Sequence, residues 1–205
     1  MTRVAIVVYD GFDELDAVGP YEVLSAAGDR GADLTPRLVT LDPCDRVTAR
    51  HGLVVEPQGT LPKAAAEGRP DLLVVPGGGW NDRAPTGAWA EVERGALPEA
   101  VAAHHRAGAT VASVCTGAMV LARAGLLDGR PAATHAGARD DLRAAGAEVK
   151  TARVVDDGDV LTAGGVTSGL DLALHLVERI ADERLADRVA EELEYPREGP
   201  RTSRQ

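Results

Sequence analysis

The stretch Ala109-Thr-Val-Ala-Ser-Val-Cys-Thr-Gly-Ala118 constrains the fold of this chain more than any other. Its first half is a short run of β-branched and small apolar residues with no polar alternation, the pattern of a buried parallel strand. The run ends in Cys115, and Thr116, Gly117 and a helical pattern over residues 118–127 follow at once. A cysteine where a strand becomes a helix sits on a sharp turn with its sulfur raised above the sheet edge. The amide groups of the following helix are then expected to lower the thiol pKa. Strand, nucleophile, tight glycine turn and helix form a nucleophile elbow with sulfur in place of oxygen. A buried, inert cysteine fits the same residues, so this stretch alone leaves both readings open.

Around it, strands and helical patterns alternate from end to end. That predicts an α/β fold, a three-layer sandwich whose mainly parallel central sheet is flanked by helices. Strands are expected at 3–9, 34–41, 52–56, 71–76 and 132–135, with a hairpin-like pair at 149–155 and 160–163. Helices are expected from Pro20 to about residue 27, with Pro20 in the first turn, and over 86–107 with Pro98 breaking or restarting the helix. Further helices are expected over 138–145, 168–180 and 183–193. Residues 1–195 read as a single domain, and the polar segment 196–205 as a disordered tail.

Composition limits the function classes. The 205 residues contain only Cys44 and Cys115 as cysteines, too few for a disulfide framework and without zinc-type spacing. No apolar run approaches the roughly 18 residues that span a bilayer. The first strand meets Asp10 and Gly11 too soon for a signal peptide. The expected compartment is the reducing cytoplasm, where a free thiol survives. A net charge of −10 and 3% aromatic residues argue against nucleic acid and anionic membranes as partners, although such charge also serves solubility.

In parallel α/β sheets, ligands lie beyond the carboxyl ends of the strands. Those ends here carry Asp13, Glu14 and Asp16, then Gly77-Gly78-Gly79, then Cys115, then His135. The triple glycine is too short, and lacks the lysine, for a phosphate loop. The N–H groups of Gly78, Gly79 and Thr116 are suited to holding charge on an adduct; a plain tight turn is the alternative. Asp16 either caps the helix or exchanges a proton with Cys115 or a substrate. His135 is either a base or a core histidine satisfied by a carbonyl. His104 and His105 are expected on a solvated helix face and His175 on the apolar C-terminal helix, none with a role. No His, Cys and carboxylate set has metal-ligand spacing.

Taken together, these residues resemble the ThiJ/PfpI superfamily, a branch of the flavodoxin-like, class I glutamine amidotransferase-like fold. The resemblance runs from Arg3 to about Ala181. It rests on Phe12-Asp-Glu-Leu-Asp16, Gly19-Pro20-Tyr-Glu-Val-Leu24, Leu73-Val-Val-Pro-Gly-Gly-Gly79 and Val114-Cys-Thr-Gly-Ala118. Ala133-Thr-His135 and Leu161-Thr-Ala-Gly-Gly-Val-Thr-Ser-Gly-Leu-Asp171 complete it. Asp16 ahead of Gly-Pro, and Thr116 after the cysteine, look like the isonitrile hydratase branch. The body also resembles the sensing half of AraC-type regulators. Those continue into a helix-turn-helix region, whereas this chain ends at Gln205, and its charge of −10 weighs against that reading.

The resemblance implies hydration of an isonitrile to an N-substituted formamide by Cys115, Asp16 and Thr116. Gly78, Gly79, Thr116 and His135 would surround the substrate, and the protein would be a homodimer needing no metal or organic cofactor. Relatives of the hydratase type commonly follow Thr-His with a tryptophan. Ala136 stands there instead, implying a larger pocket, another substrate or another activity. The alternatives are a glyoxalase-type hydratase of small dicarbonyls, in which His135 matters more, and a non-catalytic small-molecule or redox sensor whose Cys115 is oxidised.

Overall fold

The computed structural model describes residues 1–197 and 201–203. The chain opens with β1 (Thr2–Val7), α1 (Glu14–Asp29) and β2 (Leu34–Val39), followed by a small hairpin of β3 (Val47–Thr48) and β4 (Val54–Val55). Then come β5 (Leu72–Val75), α2 (Ala88–Arg94), α3 (Ala96–Arg106), β6 (Thr110–Ser113) and α4 (Gly117–Arg123). The last part holds β7 (Pro131–Ala132), α5 (Arg139–Ala144), β8 (Glu148–Val149), β9 (Val154–Asp156) and β10 (Val160–Ala163). It closes with α6 (Ser168–Ile180), α7 (Glu183–Glu192) and β11 (Arg201–Ser203).

Seven strands form one sheet in the order β11-β9-β10-β6-β5-β1-β2. Every neighbouring pair is parallel except β9 with β10, which turn back on each other as the expected hairpin. The central strands β5 and β6 are buried because both faces are covered: α1, α6 and α7 pack together as one layer, and α2, α3 and α4 as another. Ile6, Leu73, Val74, Val111 and Ala112 are fully enclosed between these layers. Each large aliphatic side chain so buried contributes about 1.5–3 kcal/mol relative to exposure. The α/β sandwich with its mostly parallel sheet is as the alternation predicts. Among the described residues no helix is long and apolar enough to cross a membrane.

Several local expectations are corrected. Helix α1 begins at Glu14, so Pro20 lies inside it rather than in its first turn. A proline there removes one helical N–H and is normally unfavourable; its ring packs on α6, where a Cβ on Gly169 would stand 3.4 Å from Pro20 Cδ. The break in 86–107 is at Gly95, left-handed at φ 80°, and of the two roles expected of Pro98 it takes that of restarting the helix. Pro98 falls in the first turn of α3, where its missing N–H is harmless. Part of the loop expected between 41 and 52 forms β3, which pairs with β4. The expected strand 132–135 stops at Ala132, and residues 149–155 divide between β8, paired with β7, and β9. Helix α6 has the expected bounds. Of the tail expected to be disordered, 198–200 and 204–205 lie outside the described residues, and Arg201–Ser203 run beside β9.

Candidate active site

The elbow is formed as the strand-to-helix spacing predicts. Cys115 joins β6 to α4 with φ 56°, one of few non-glycine residues in the left-handed region, a conformation that costs about 1–3 kcal/mol. Neighbouring glycines make room for it. A Cβ on Gly117 would overlap the Val75 carbonyl, and one on Gly77 would lie 2.5 Å from Thr116 N. The turn is closed by Gly117 N–H donating to the Val114 carbonyl at 2.9 Å. The Cys115 N–H donates to the Gly164 carbonyl at 2.9 Å, and the Thr134 hydroxyl donates to the Cys115 carbonyl at 2.9 Å.

Asp16 does not cap α1. Asp13 occupies the N-cap position, and Asp16 sits within the first helical turn, 0% exposed. Its Oδ2 accepts the Gly77 N–H at 2.9 Å, while Asp13 N–H donates to the Gly77 carbonyl at 2.9 Å. The loop after β1 and the loop after β5 are thus strapped together beside the sulfur. Burial, with the nearby charge of Asp13 adding to it, raises the Asp16 pKa well above the usual carboxylate range; the Gly77 N–H and the Cys115 thiol oppose this only in part. The other oxygen, Oδ1, is buried without a conventional hydrogen-bond partner.

The expectation of a lowered thiol pKa is corrected. Cys115 is 5% exposed, and burial, together with the charge of Asp16, pushes its pKa up to about 12. The amide effect is present but smaller: the N–H groups of Val166 and Thr116 hydrogen-bond the sulfur and pull in the other direction.

In the glycine loop, Gly78 plays a different part from the one expected. The Gly77 N–H is taken by Asp16 and the Gly78 N–H by Thr116 Oγ1 at 2.9 Å, so these donors hold the loop rather than the sulfur. Gly78 has φ 120°, and a Cβ there would stand 2.5 Å from the Gly11 carbonyl; only glycine lets the strand ends meet so closely. Gly79 follows at φ 68°, its carbonyl accepting Ala84 N–H at 2.9 Å. A cleft of about 510 Å³ borders Gly11, Gly79, Arg50 and Thr86. Of the backbone donors expected around the sulfur, Thr116 is in place, and Val166 is the one the sequence reading missed. The signal for it was Gly164-Gly165 between β10 and α6, a glycine turn at a strand's carboxyl end like Gly77-Gly78-Gly79 after β5.

His135 stands at the rim of the site, partly exposed, against Gly165, where a Cβ would lie 2.8 Å from its Cδ2. Its Nδ1 accepts the Gly137 N–H at 3.1 Å and lies 3.2 Å from Asn81 Nδ2, which places the ring proton on Nε2. Ala136 is exposed beside it. His104, expected on a solvated face, is 2% exposed; burial lowers its pKa, with the hydrogen bond that its ring donates to the Pro62 carbonyl opposing. His105 pairs with Asp159 at 2.7 Å and His175 with Asp156 at 2.7 Å, both away from Cys115. Among the described residues no group of three or more His, Cys, Asp and Glu could hold a metal ion.

The family model described as "DJ-1/PfpI family" matches residues 2–179. An isonitrile hydratase of Pseudomonas putida is 34% identical over 193 residues, covering 94% of this chain and 78% of that protein. A deglycase of Pyrococcus horikoshii is 32% identical over 169 residues, covering 77% of this chain and 86% of that protein. The crystal structure of a ThiJ/PfpI family protein from Pseudomonas syringae superposes with a TM-score of 0.82 at 30% identity, over 97% of this chain and 77% of that one.

Proposed function

The chain belongs to the DJ-1/PfpI family, and from that premise we propose that it is a cysteine-dependent isonitrile hydratase. The observation that carries this reading is the buried pair of Asp16 and Cys115. A carboxyl group whose pKa is raised well above its ordinary range holds its proton to higher pH than an ordinary aspartate, and beside a thiol it is placed to donate it. An isonitrile, R–N≡C, needs such a donor, because its terminal carbon carries the lone pair.

In the first step Asp16 gives its proton to that carbon as the Cys115 sulfur bonds to it. The thiol proton passes to the Asp16 carboxylate, so no free thiolate has to form beforehand. The product is a thioimidate, R–N=CH–S–Cys115. Water then adds to the same carbon while a proton moves to nitrogen. The C–S bond breaks, the sulfur regains a proton, and R–NH–CHO leaves. Thr116 Oγ1 already accepts the Gly78 N–H, which leaves its own proton to direct at the water or the adduct nitrogen. The Val166 and Thr116 N–H groups hold the charge that builds on sulfur as the C–S bond breaks. The substrate is a small molecule, the expected assembly is a homodimer in the cytoplasm, and the reaction requires no cofactor.

The test is formamide production from cyclohexyl isocyanide. Wild-type protein is expected to form product and Cys115→Ala none. A reduced, folded wild type that makes no formamide overturns the reading. A glyoxalase-type reaction on small dicarbonyls is the second reading, supported by the deglycase relative and by the His135 Nε2–H as a donor to a carbonyl. Loss of methylglyoxal without isonitrile turnover would select it.

A further inference from the structure

Cys115 is held against its own backbone preference, and both of its backbone polar groups are held from outside the strand and helix that it joins. Its N–H is fixed by Gly164 at the end of β10, and its carbonyl by the Thr134 hydroxyl, each at 2.9 Å. Thr134 is 1% exposed, so bulk water cannot take the place of its hydroxyl. The loop that presents it is fixed in turn, because the neighbouring Ala133 N–H donates to Thr162 Oγ1 on β10 at 2.8 Å.

The Cys115 carbonyl and the Thr116 N–H belong to one planar trans peptide unit and point in opposite directions. Anchoring the oxygen on one side therefore fixes the direction of the N–H on the other, and that N–H is one of the two backbone donors to the Cys115 sulfur. We infer that Thr134 is a positioning residue: its hydroxyl sets the rotation of the Cys115–Thr116 peptide and so aims the Thr116 N–H at the nucleophile. Its methyl group and overall shape are secondary, since valine would fill the same volume without the hydrogen bond.

The turnover part of the test rests on the hydratase reading, and the thiol part does not. Thr134→Val is expected to lower kcat for formamide formation by about 10- to 100-fold, the scale of a small misplacement of a reacting group. KM should stay within about 2-fold, as for an interaction that matters only in the reacting complex. Carbamidomethylation of Cys115 by iodoacetamide at about pH 9 should slow by about 10-fold, because the thiolate loses a donor. Thr134→Ser, which keeps the hydroxyl, should restore both. Thr134→Val with wild-type kcat and alkylation rate overturns the inference, as does alkylation that speeds up, or a Thr134→Ser variant as impaired as Thr134→Val. Should Thr134→Val not fold, Thr134→Ala is measured with the same expectation. If wild-type protein hydrates no isonitrile, the hydratase reading falls alone, and the alkylation series still decides the role of Thr134.

Discussion

Asp16 and Asp156 are both aspartates drawn into the body of the protein, and their surroundings push them in opposite directions. Burial works to raise the Asp156 pKa, but His175 Nε2 at 2.7 Å, the Gly158 N–H at 2.9 Å and Arg179 at 3.0 Å overcome it, and the carboxylate is held below its usual range. Asp16 is more deeply buried and has one backbone N–H, with the charge of Asp13 close by; its pKa is raised. The difference lies in the depth of burial and in the partners: a histidine, an arginine and a backbone N–H around Asp156, a neighbouring carboxylate beside Asp16. His175 and Arg179 hold Asp156 as a carboxylate, whereas Asp16, to which the proposed reaction assigns the proton transfer, faces the charge of Asp13.

Replacing Asp16 tests that contrast most severely. Asp16→Asn should lower formamide turnover by about 100-fold or more, the scale of a lost general acid. It should also make the protein more stable near neutral pH. Because the folded-state pKa is raised, the folded protein holds a proton that the unfolded chain has lost. Stability therefore falls as pH rises above the unfolded value, and the amide removes that fall. Thermal melts at acid and neutral pH check the sign: the gain should grow with pH. In the same variant the alkylation profile of Cys115, which should climb toward about pH 12 in the wild type, should move to lower pH, since the repelling charge is gone.

The opposite behaviour is expected of Asp156→Asn, which should cost about 1–2 kcal/mol at neutral pH, the scale of lost charge-assisted hydrogen bonds near a surface. Its lowered pKa means that the contribution is present above the ordinary carboxylate pKa and is lost as pH falls through the folded value. Turnover should be unchanged. An Asp156→Asn variant as stable as wild type at neutral pH, measured by urea titration, would break the comparison. The smallest effect is expected where an ion pair is fully in solvent: Arg143→Ala removes a partner of Asp140, whose side chain is 97% exposed, and should leave the melting temperature unchanged.

Much of the fold was legible because its signals are local. The apolar run into Cys115, the glycine after it and the periodicity of Ser168–Ile180 each sit within one element. What escaped depends on contacts distant in sequence. Pro20, inside a helix, packs its ring against a residue on α6. The Gly78 N–H is taken by a hydroxyl 38 residues away, and Asp16 finds Gly77 across 61 residues. Strand-end logic brought Asp16, the glycines, Cys115 and His135 to one region. It could not say which N–H groups would be spent on holding loops together, nor that burial would outweigh the helix amides at the sulfur.

The strap between Asp16 and Gly77 has a dynamic consequence. Oδ2 accepts the same backbone N–H whether the carboxyl is charged or neutral, so the mobile proton resides on Oδ1. Gaining or losing it leaves the Gly77 hydrogen bond in place, and the contact that changes is the one with the Cys115 thiol. The reorganisation that water would have to perform around an ordinary acid has been done in advance, when the chain folded.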